Sequence, residues 1–161
     1  VANFIKNKYV REMALGLFAQ GAAKTVPQNA TQTVFTVTGG RILIATLYGL
    51  VTTVIGGTTP AAKYVATPTT GTANDMCTTL TITTDEVGMM WQLPSAVGSA
   101  LIGAASTGKS GSVSGNTGAL CGQIVAPGTI GFNVSAADAT GAVVHTLLYI
   151  PLDAASAVVA N

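Results

Sequence analysis

Charge is what this sequence lacks. Asp, Glu, Lys and Arg make up 8% of its 161 residues, against about 25% in an ordinary soluble domain. The seven cations and six anions nearly cancel, leaving a net charge of +1. Charges so few and so balanced exclude a bulk electrostatic hold on nucleic acid. A hydrophobic content of 48% excludes intrinsic disorder in the same stroke. Histidine occurs once, as His145, so no multi-histidine metal site can form. Cys77 and Cys121 have neither CxxC spacing nor a neighbouring histidine, and in a reducing compartment they read as small buried hydrophobes. No metal or other cofactor is expected. Asp85 and Glu86 are adjacent and would point to opposite faces of a strand, so they make no acid–base pair.

Long apolar runs are also missing. Residues 42–62 run without a charge, but they hold five Thr, three Gly and Pro60. Their dense apolar part, 42–55, is 14 residues long, where a spanning helix needs about 20. No membrane insertion is expected. Nor is a secretory leader, because the first 20 residues interleave Lys6, Lys8, Arg11 and Glu12 with apolar residues. Synthesis and assembly in a cytoplasm follow as the expectation.

What is present is enough for one domain with a real core: a chain of this mass has about 7,400 Å² of folded surface. Thirteen charges spread over that area leave broad neutral tracts of Thr, Ala, Gly and Val, and a net charge near zero favours association. The chain is expected to live in an assembly. Charge is uneven along it, since residues 1–24 net +3 and the rest net −2. Within 1–24, Ile5, Tyr9, Met13 and Leu17 recur every four residues, beside Val10, Ala14 and Phe18 and opposite Asn3, Lys6, Asn7 and Arg11. That period predicts an amphipathic helix, with Gly16 inside it and Gly21 and Pro27 ending it. Residues 1–24 thus read as a helical or extended arm, docked on its own domain or reaching a neighbour, and 25–161 as the main domain.

From Thr31 onward the period changes to two. The chain holds 24 Thr, and its β-branched and aromatic residues fall in short runs between Gly, Pro and Asn clusters. Strands are predicted at 31–38, 41–55 with a bend at Gly49, 61–67, 76–84, 89–93, 97–104, 119–125, 129–135 and 142–150. Ile130, Phe132 and Val134 alternate with Gly131, Asn133 and Ser135, as Leu80 and Ile82 do with Thr79, Thr81 and Thr83. Each strand therefore buries one face and shows a neutral polar one. Eight or nine such strands without interleaved helices predict an all-β, two-sheet sandwich, jelly-roll-like or immunoglobulin-like. The jelly roll is preferred, because the order Cys77, Trp91, Cys121 would need a disulfide to make an immunoglobulin core.

One motif match needs weighing. Gly103, Gly108, Lys109 and Ser110 spell the phosphate-binding pattern G-x-x-x-x-G-K-S after a plausible strand. A working P-loop needs a helix to start at the Lys-Ser step, and the GSVSGNTG that follows cannot sustain one. A chance match within a Gly/Ser loop at 107–118 is the expected reading; a P-loop nucleotide-binding protein stays as the enzyme-class rival. His145 with Asp138 or Asp153 could in principle serve a nucleophilic serine, yet no G-x-S-x-G accompanies it, so a structural histidine is expected. Tyr48, Tyr64, Trp91 and Tyr149 could form a sugar-stacking platform, as in a glycan-binding sandwich on a phage fibre. Packing inside the protein or its contacts is the expected alternative.

Residues 124–161, IVAPGTIGFNVSAADATGAVVHTLLYIPLDAASAVVAN, resemble small capsid decoration, or cement, proteins of tailed bacteriophages. In those a Pro/Gly turn leads into a hairpin, then a Tyr-x-Pro-Leu exit and a small-residue tail; Pro127, Gly128, Gly141, Tyr149, Pro151 and Leu152 stand at those positions. Residues 35–55, FTVTGGRILIATLYGLVTTVI, are similar in flavour. The resemblance implies a β-sandwich, often jelly-roll-like, that binds the capsid exterior as a homodimer or homotrimer, with the major capsid protein as partner and no catalysis. Contacts to a neighbouring subunit or to the shell are expected from Phe4, Ile5, Lys6, Lys8, Tyr9, Arg11 and Phe18. The apolar members would anchor and the cations steer.

Overall fold

A computed structural model describes Glu12 and residues 16–103 and 121–161. The described chain folds as a two-sheet β-sandwich. Its strands are β1 (Leu17–Gln20), β2 (Lys24–Thr25), β3 (Ala30–Thr38), β4 (Ile42–Gly56), β5 (Ala61–Pro68), β6 (Asn74–Asp75) and β7 (Leu80–Thr81). These are followed by β8 (Met90–Gln92), β9 (Ile102–Gly103), β10 (Ile124–Val125), β11 (Gly128–Val134), β12 (Thr140–Pro151) and β13 (Ala157–Ala160). One sheet runs β1-β12-β4-β8-β9, with β2 on β12 and β10 on β4; the other runs β13-β3-β11-β5-β6, with β7 on β5. Every strand pairing is antiparallel.

Some of the pairings nest: β1 pairs with β12, β3 with β11, β4 with β8, and β5 with β6 and β7. Others cross them, since β12 also meets β4 and β13 returns to β3, while β11 also meets β5 and β10 meets β4. Two clasps between distant loops hold the sandwich. Asp153, after β12, accepts the backbone N–H of Arg41 at 2.7 Å and its Nε and Nη2 at 3.1 and 2.9 Å, while Ser156 Oγ donates to the Arg41 carbonyl at 2.7 Å. The guanidinium holds the Asp153 carboxyl down at about 2. At the other end Asp138 accepts from the Thr58 N–H and hydroxyl, at 3.0 and 2.8 Å.

Period two is obeyed where the core needs it and broken by bulges where it does not fit. In β11, Ile130, Phe132 and Val134 are buried between the sheets. In β3 the neighbours Val34 and Phe35 are both buried, which strict alternation forbids; a register shift opposite Ile130 and Gly131 makes it possible. Ile44 and Ala45 in β4 do the same beside the shift between Leu148 and Tyr149. The irregularities of the 15-residue β4 therefore fall at Ala45 and beyond Val51, and not at Gly49 as expected from its sequence. Gly49 has another task. A Cβ there would stand 3.0 Å from Val143 Cγ1 and 3.2 Å from both Trp91 Cε3 and the Tyr64 hydroxyl. The missing side chain is what lets the largest rings of the core approach β4.

Those rings join the sheets. Trp91 of β8 stacks on Phe132 of β11, with centroids 5.8 Å apart and planes 9° from parallel. Tyr64 of β5 tilts against Phe132 at 5.4 Å, and His145 of β12 lies 4.8 Å from it. Trp91 Nε1, which burial would leave without water, donates to Asp85 Oδ2 at 2.6 Å.

Several expected elements are corrected. Leu17 and Phe18, read as the end of a helical stripe, lie in strand β1 on the edge of a sheet. Gly16 is no interior helix residue: its N–H bonds to the carbonyl of the helical Glu12 at 3.0 Å and its φ is 87°, the left-handed cap that ends a helix. The small-residue tail contains strand β13. Predicted strands at 76–84, 97–104 and 119–125 shrink to the two-residue strands β7, β9 and β10, with residues 104–120 outside the described part.

The tight approach at Gly49 yields an expected outcome. Gly49→Val, which drives methyls into Trp91 and Tyr64, destabilises the fold by about 1–3 kcal/mol in urea titrations. Gly98→Ala, where a Cβ meets nothing within 4 Å, stays within about 0.5 kcal/mol of wild type.

Candidate functional site

Of the residues expected to make contacts, Phe4, Ile5, Lys6, Lys8, Tyr9 and Arg11 lie outside the described part of the chain. Phe18 lies within it. It stands on β1 opposite Leu148 and is 52% exposed, so a large ring is presented at the sheet edge where the arm joins the sandwich.

Cross-strand register extends that patch. Val143, His145, Leu147 and Tyr149 of β12 point into the core and are buried, which turns Val144, Leu148 and Ile150 outward. Their partners on β4 are Leu50, Thr46 and Leu43. The outward side of this sheet mixes those aliphatic side chains with Tyr48 and two hydrogen-bonded polar pairs, Gln20 Nε2 to Thr146 Oγ1 at 2.8 Å and Gln92 Nε2 to Thr46 Oγ1 at 3.1 Å, and the sequences of β1, β12, β4, β8, β9 and β10 contain no charged residue. The alternation and the neutral outer face were legible in sequence.

The groove of about 380 Å³ beside β10 was not foreseen. Ala66 and Pro68 of β5, Asn74 of β6, Met76, Ser95, Val97 and residues 122–126 line it, and Val97 and Ile124 form an exposed apolar rim. Its amide, Gln123, is already spent: Nε2 donates to the carbonyls of Met76 and Pro94, both at 2.9 Å. Nothing among the lining side chains is an acid or a base, so beside shape and apolar contact the groove offers neutral polar groups such as those of Asn74 and Ser95.

The rival chemistries meet a different geometry. His145 is buried beside Tyr64, whose hydroxyl lies 3.0 Å from Nδ1, while Asp138 and Asp153 are engaged in the loop clasps. Burial holds the imidazole neutral, lowering its pKa to about 3, with a smaller push from Lys24. Trp91, Tyr64 and Tyr149 are buried, so these three rings cannot stack on a sugar; Tyr48 is half-buried on the outward side of β4. Gly103 ends β9, which pairs antiparallel at a sheet edge, whereas a P-loop strand belongs to a parallel sheet. The rest of that motif, Gly108, Lys109 and Ser110, lies outside the described residues. Cys77 and Cys121 are buried free thiols; Cys77 Sγ accepts the Tyr64 N–H at 3.4 Å and Cys121 Sγ donates to the Pro94 carbonyl at 3.2 Å. Burial raises both thiol pKa values. Among the described residues no cluster of three or more His, Cys, Asp and Glu could hold a metal, and no helix is long and apolar enough to cross a membrane.

Comparison with known proteins adds no neighbour: no family model, no curated protein and no solved structure matches the chain.

The neutral His145 sets a pH dependence. The unfolded chain takes up its proton near 6.5 and the fold only near 3, so the unfolded state binds more protons between those values. Stability is fully present above pH 6.5 and is lost as pH falls toward 3. Between pH 5.5 and 4 the slope contributed by this group is about 1.4 kcal/mol per pH unit. His145→Gln, which cannot take up the proton, removes that slope in denaturant titrations across the window.

Proposed function

We propose that this chain is a structural virion protein that binds the outer surface of a phage head and stabilises the capsid lattice by bridging major capsid protein subunits. It works as a homodimer or homotrimer, without catalysis. The observation that carries the reading is the near absence of charge from the sandwich surface. Lys24, Lys63 and Asp75 are the only charged residues in the described strands, and Lys63 Nζ sits 2.7 Å from Asp75 Oδ2. A surface this neutral makes poor contact with a charged ligand and good contact with another protein, and repeated on a lattice even weak contacts sum to firm attachment.

Two further features support the reading. The nesting of β1 with β12, β3 with β11, β4 with β8 and β5 with β6 supports the jelly-roll-like course that the family resemblance implies. The residues that carry the resemblance also fall at structural joints. Pro127 and Gly128 open β11, and Tyr149 and Pro151 close β12, where the Tyr149 hydroxyl accepts the Val158 N–H of β13 at 3.3 Å.

The arm supplies orientation in this reading. Lys6, Lys8 and Arg11 give residues 1–24 their positive charge and steer them toward an acidic capsid face, with Phe4, Ile5, Tyr9 and Phe18 as anchors.

Purified heads of the virus that encodes the chain, mixed with it and sedimented, carry it into the pellet at a fixed stoichiometry per capsomer. Reversing Lys6, Lys8 and Arg11 to Glu weakens binding by about tenfold at low salt, and the difference narrows as salt rises. A protein that stays in the supernatant at saturating concentration overturns the reading.

A further inference from the structure

Two short strands share one side of β4. Its other side is taken by β12 over residues 42–56, so β8, at 48–50, and β10, at 42–43, lie in line with each other. β8 carries β9 on its outer side, whereas β10 has no further strand there among the described residues. Register shows what that edge offers. The Ile44 N–H donates to the Gln123 carbonyl at 2.9 Å, and Val125 stands opposite Ile42. Ile124, between them and opposite Leu43, is therefore a non-hydrogen-bonded position, and its own N–H and C=O point away from β4.

The groove of about 380 Å³ lies beside this edge, with Ala66 and Pro68 of the other sheet across from it. Its size falls in the range of ligand pockets, about 300–1,000 Å³. Gln123 in its wall is only 9% exposed. The bonds that spend Nε2 of Gln123 on the carbonyls of Met76 and Pro94, both 2.9 Å long, also fix the amide plane, so Oε1 is held as a ready acceptor.

We propose that this groove docks an extended, uncharged peptide segment of a partner protein, added to β10 as the next strand of its sheet. The free edge selects an extended backbone, because such a chain matches the N–H and C=O of Ile124 as a pair. The walls select apolar side chains, since alternate residues of the added strand turn inward between the sheets, toward Ala66 and Met76. The absence of any acid or base from the lining selects against charge, because an ion entering the groove gives up hydration and gains no counter-ion. Ser95 and Asn74 at its border suit neutral polar residues in the segment. The inference rests on the fold alone and does not require the partner to be a capsid protein.

The probe is a capped pentapeptide of alternating threonine and valine, titrated into the isotope-labelled full chain. Expected are saturable amide shifts at residues 122–126 and at the Gln123 side chain, with Thr36 and Thr129 unmoved. Ile124→Pro removes the edge N–H but no bond of the β10–β4 ladder, and it weakens binding about tenfold. Val54→Ala, at an exposed position near the far end of β4, binds like wild type. Methylating the central amide nitrogen of the probe removes the donor that meets the Ile124 carbonyl and costs the wild-type chain a similar factor, so the test does not depend on the proline variant folding. No saturable shift at millimolar probe overturns the proposal, as does equal binding of the methylated probe or by Ile124→Pro, or a response centred on β13. Shifts at 122–126 that grow with the concentration of the chain alone assign the groove to a second copy. Nuclear Overhauser contacts from the Ile124 amide to residues 104–120 assign it to the same chain. Either result also overturns the proposal.

Discussion

The sandwich depends on one contact, the packing of Trp91 and His145 from one sheet against Phe132 and Tyr64 from the other. Four rings meet here, and three separate conditions must hold for them to do so. Gly49 must have no side chain, because any Cβ would enter the space the rings use. The imidazole must stay neutral, because burial strips a charge here of its hydration and Lys24 pushes the same way. The indole N–H must find an acceptor, which Asp85 provides at the price of a carboxyl pKa raised by desolvation and only partly lowered again by that bond. Residues from five strands and one loop thus converge on a single volume, so the sheets cannot slide without breaking all of these arrangements together.

Around that centre the scarcity of charge becomes a structural rule. Two ion pairs, Arg41 with Asp153 and Lys63 with Asp75, and the hydrogen-bonded carboxylates of Asp138 and Asp85 account for most of the charged groups in the described chain. The Arg41 and Asp138 groups sit at loops, where they tie one connection to another across the sandwich. Few are left to make the strand surface repel its neighbours. What remains is largely neutral on both sheets: threonines, Asn133 and the exposed Val159 on one, and Leu43, Leu148 and Ile150 with the hydrogen-bonded pairs of Gln20 with Thr146 and Gln92 with Thr46 on the other.

The sequence shows how far period and composition carry. The long strands β3, β4, β5, β11 and β12 were legible because each keeps several alternating apolar residues, and the two-sheet class followed from them. The strands of two residues were not legible as such, since β2, β6, β7, β9 and β10 exist through pairing with other segments and two residues have no period. β1 was misread for a physical reason: Leu17 and Phe18 continue a spacing of four, and only the left-handed Gly16 between them and Glu12 ends the helix. Gly49 was singled out correctly but for the wrong reason, because a glycine that bends a strand and one that admits a ring look alike in sequence. For the site, Phe18 is exposed on β1, while the other expected contact residues lie outside the described part of the chain. Which outward side chains meet, as Gln92 meets Thr46, required the register of β8 and β12 on β4, which one chain read alone does not contain.

A neutral β-protein carries a hazard that this architecture also answers. Exposed strand edges recruit further strands, and without charge to oppose it such growth has no natural end. Here the edges are short. β1 and β13, four residues each, close one side of the sandwich, where a Cβ on Gly21 after β1 would stand 3.1 Å from the carbonyl oxygen of Asn161 after β13. Among the described residues the opposite side ends in the two-residue strands β9 and β6. Long β3, β4, β11 and β12 all lie inside their sheets, flanked on both sides. Association through edges is therefore limited to a few hydrogen bonds, while association through faces has the full area of a sheet available. Faces pair once and are then used up, so contact of this kind stops at a finite assembly where edge pairing would not. Low charge, which would make an open-edged sheet aggregate, becomes usable for ordered contact because the chain places its shortest strands at its borders.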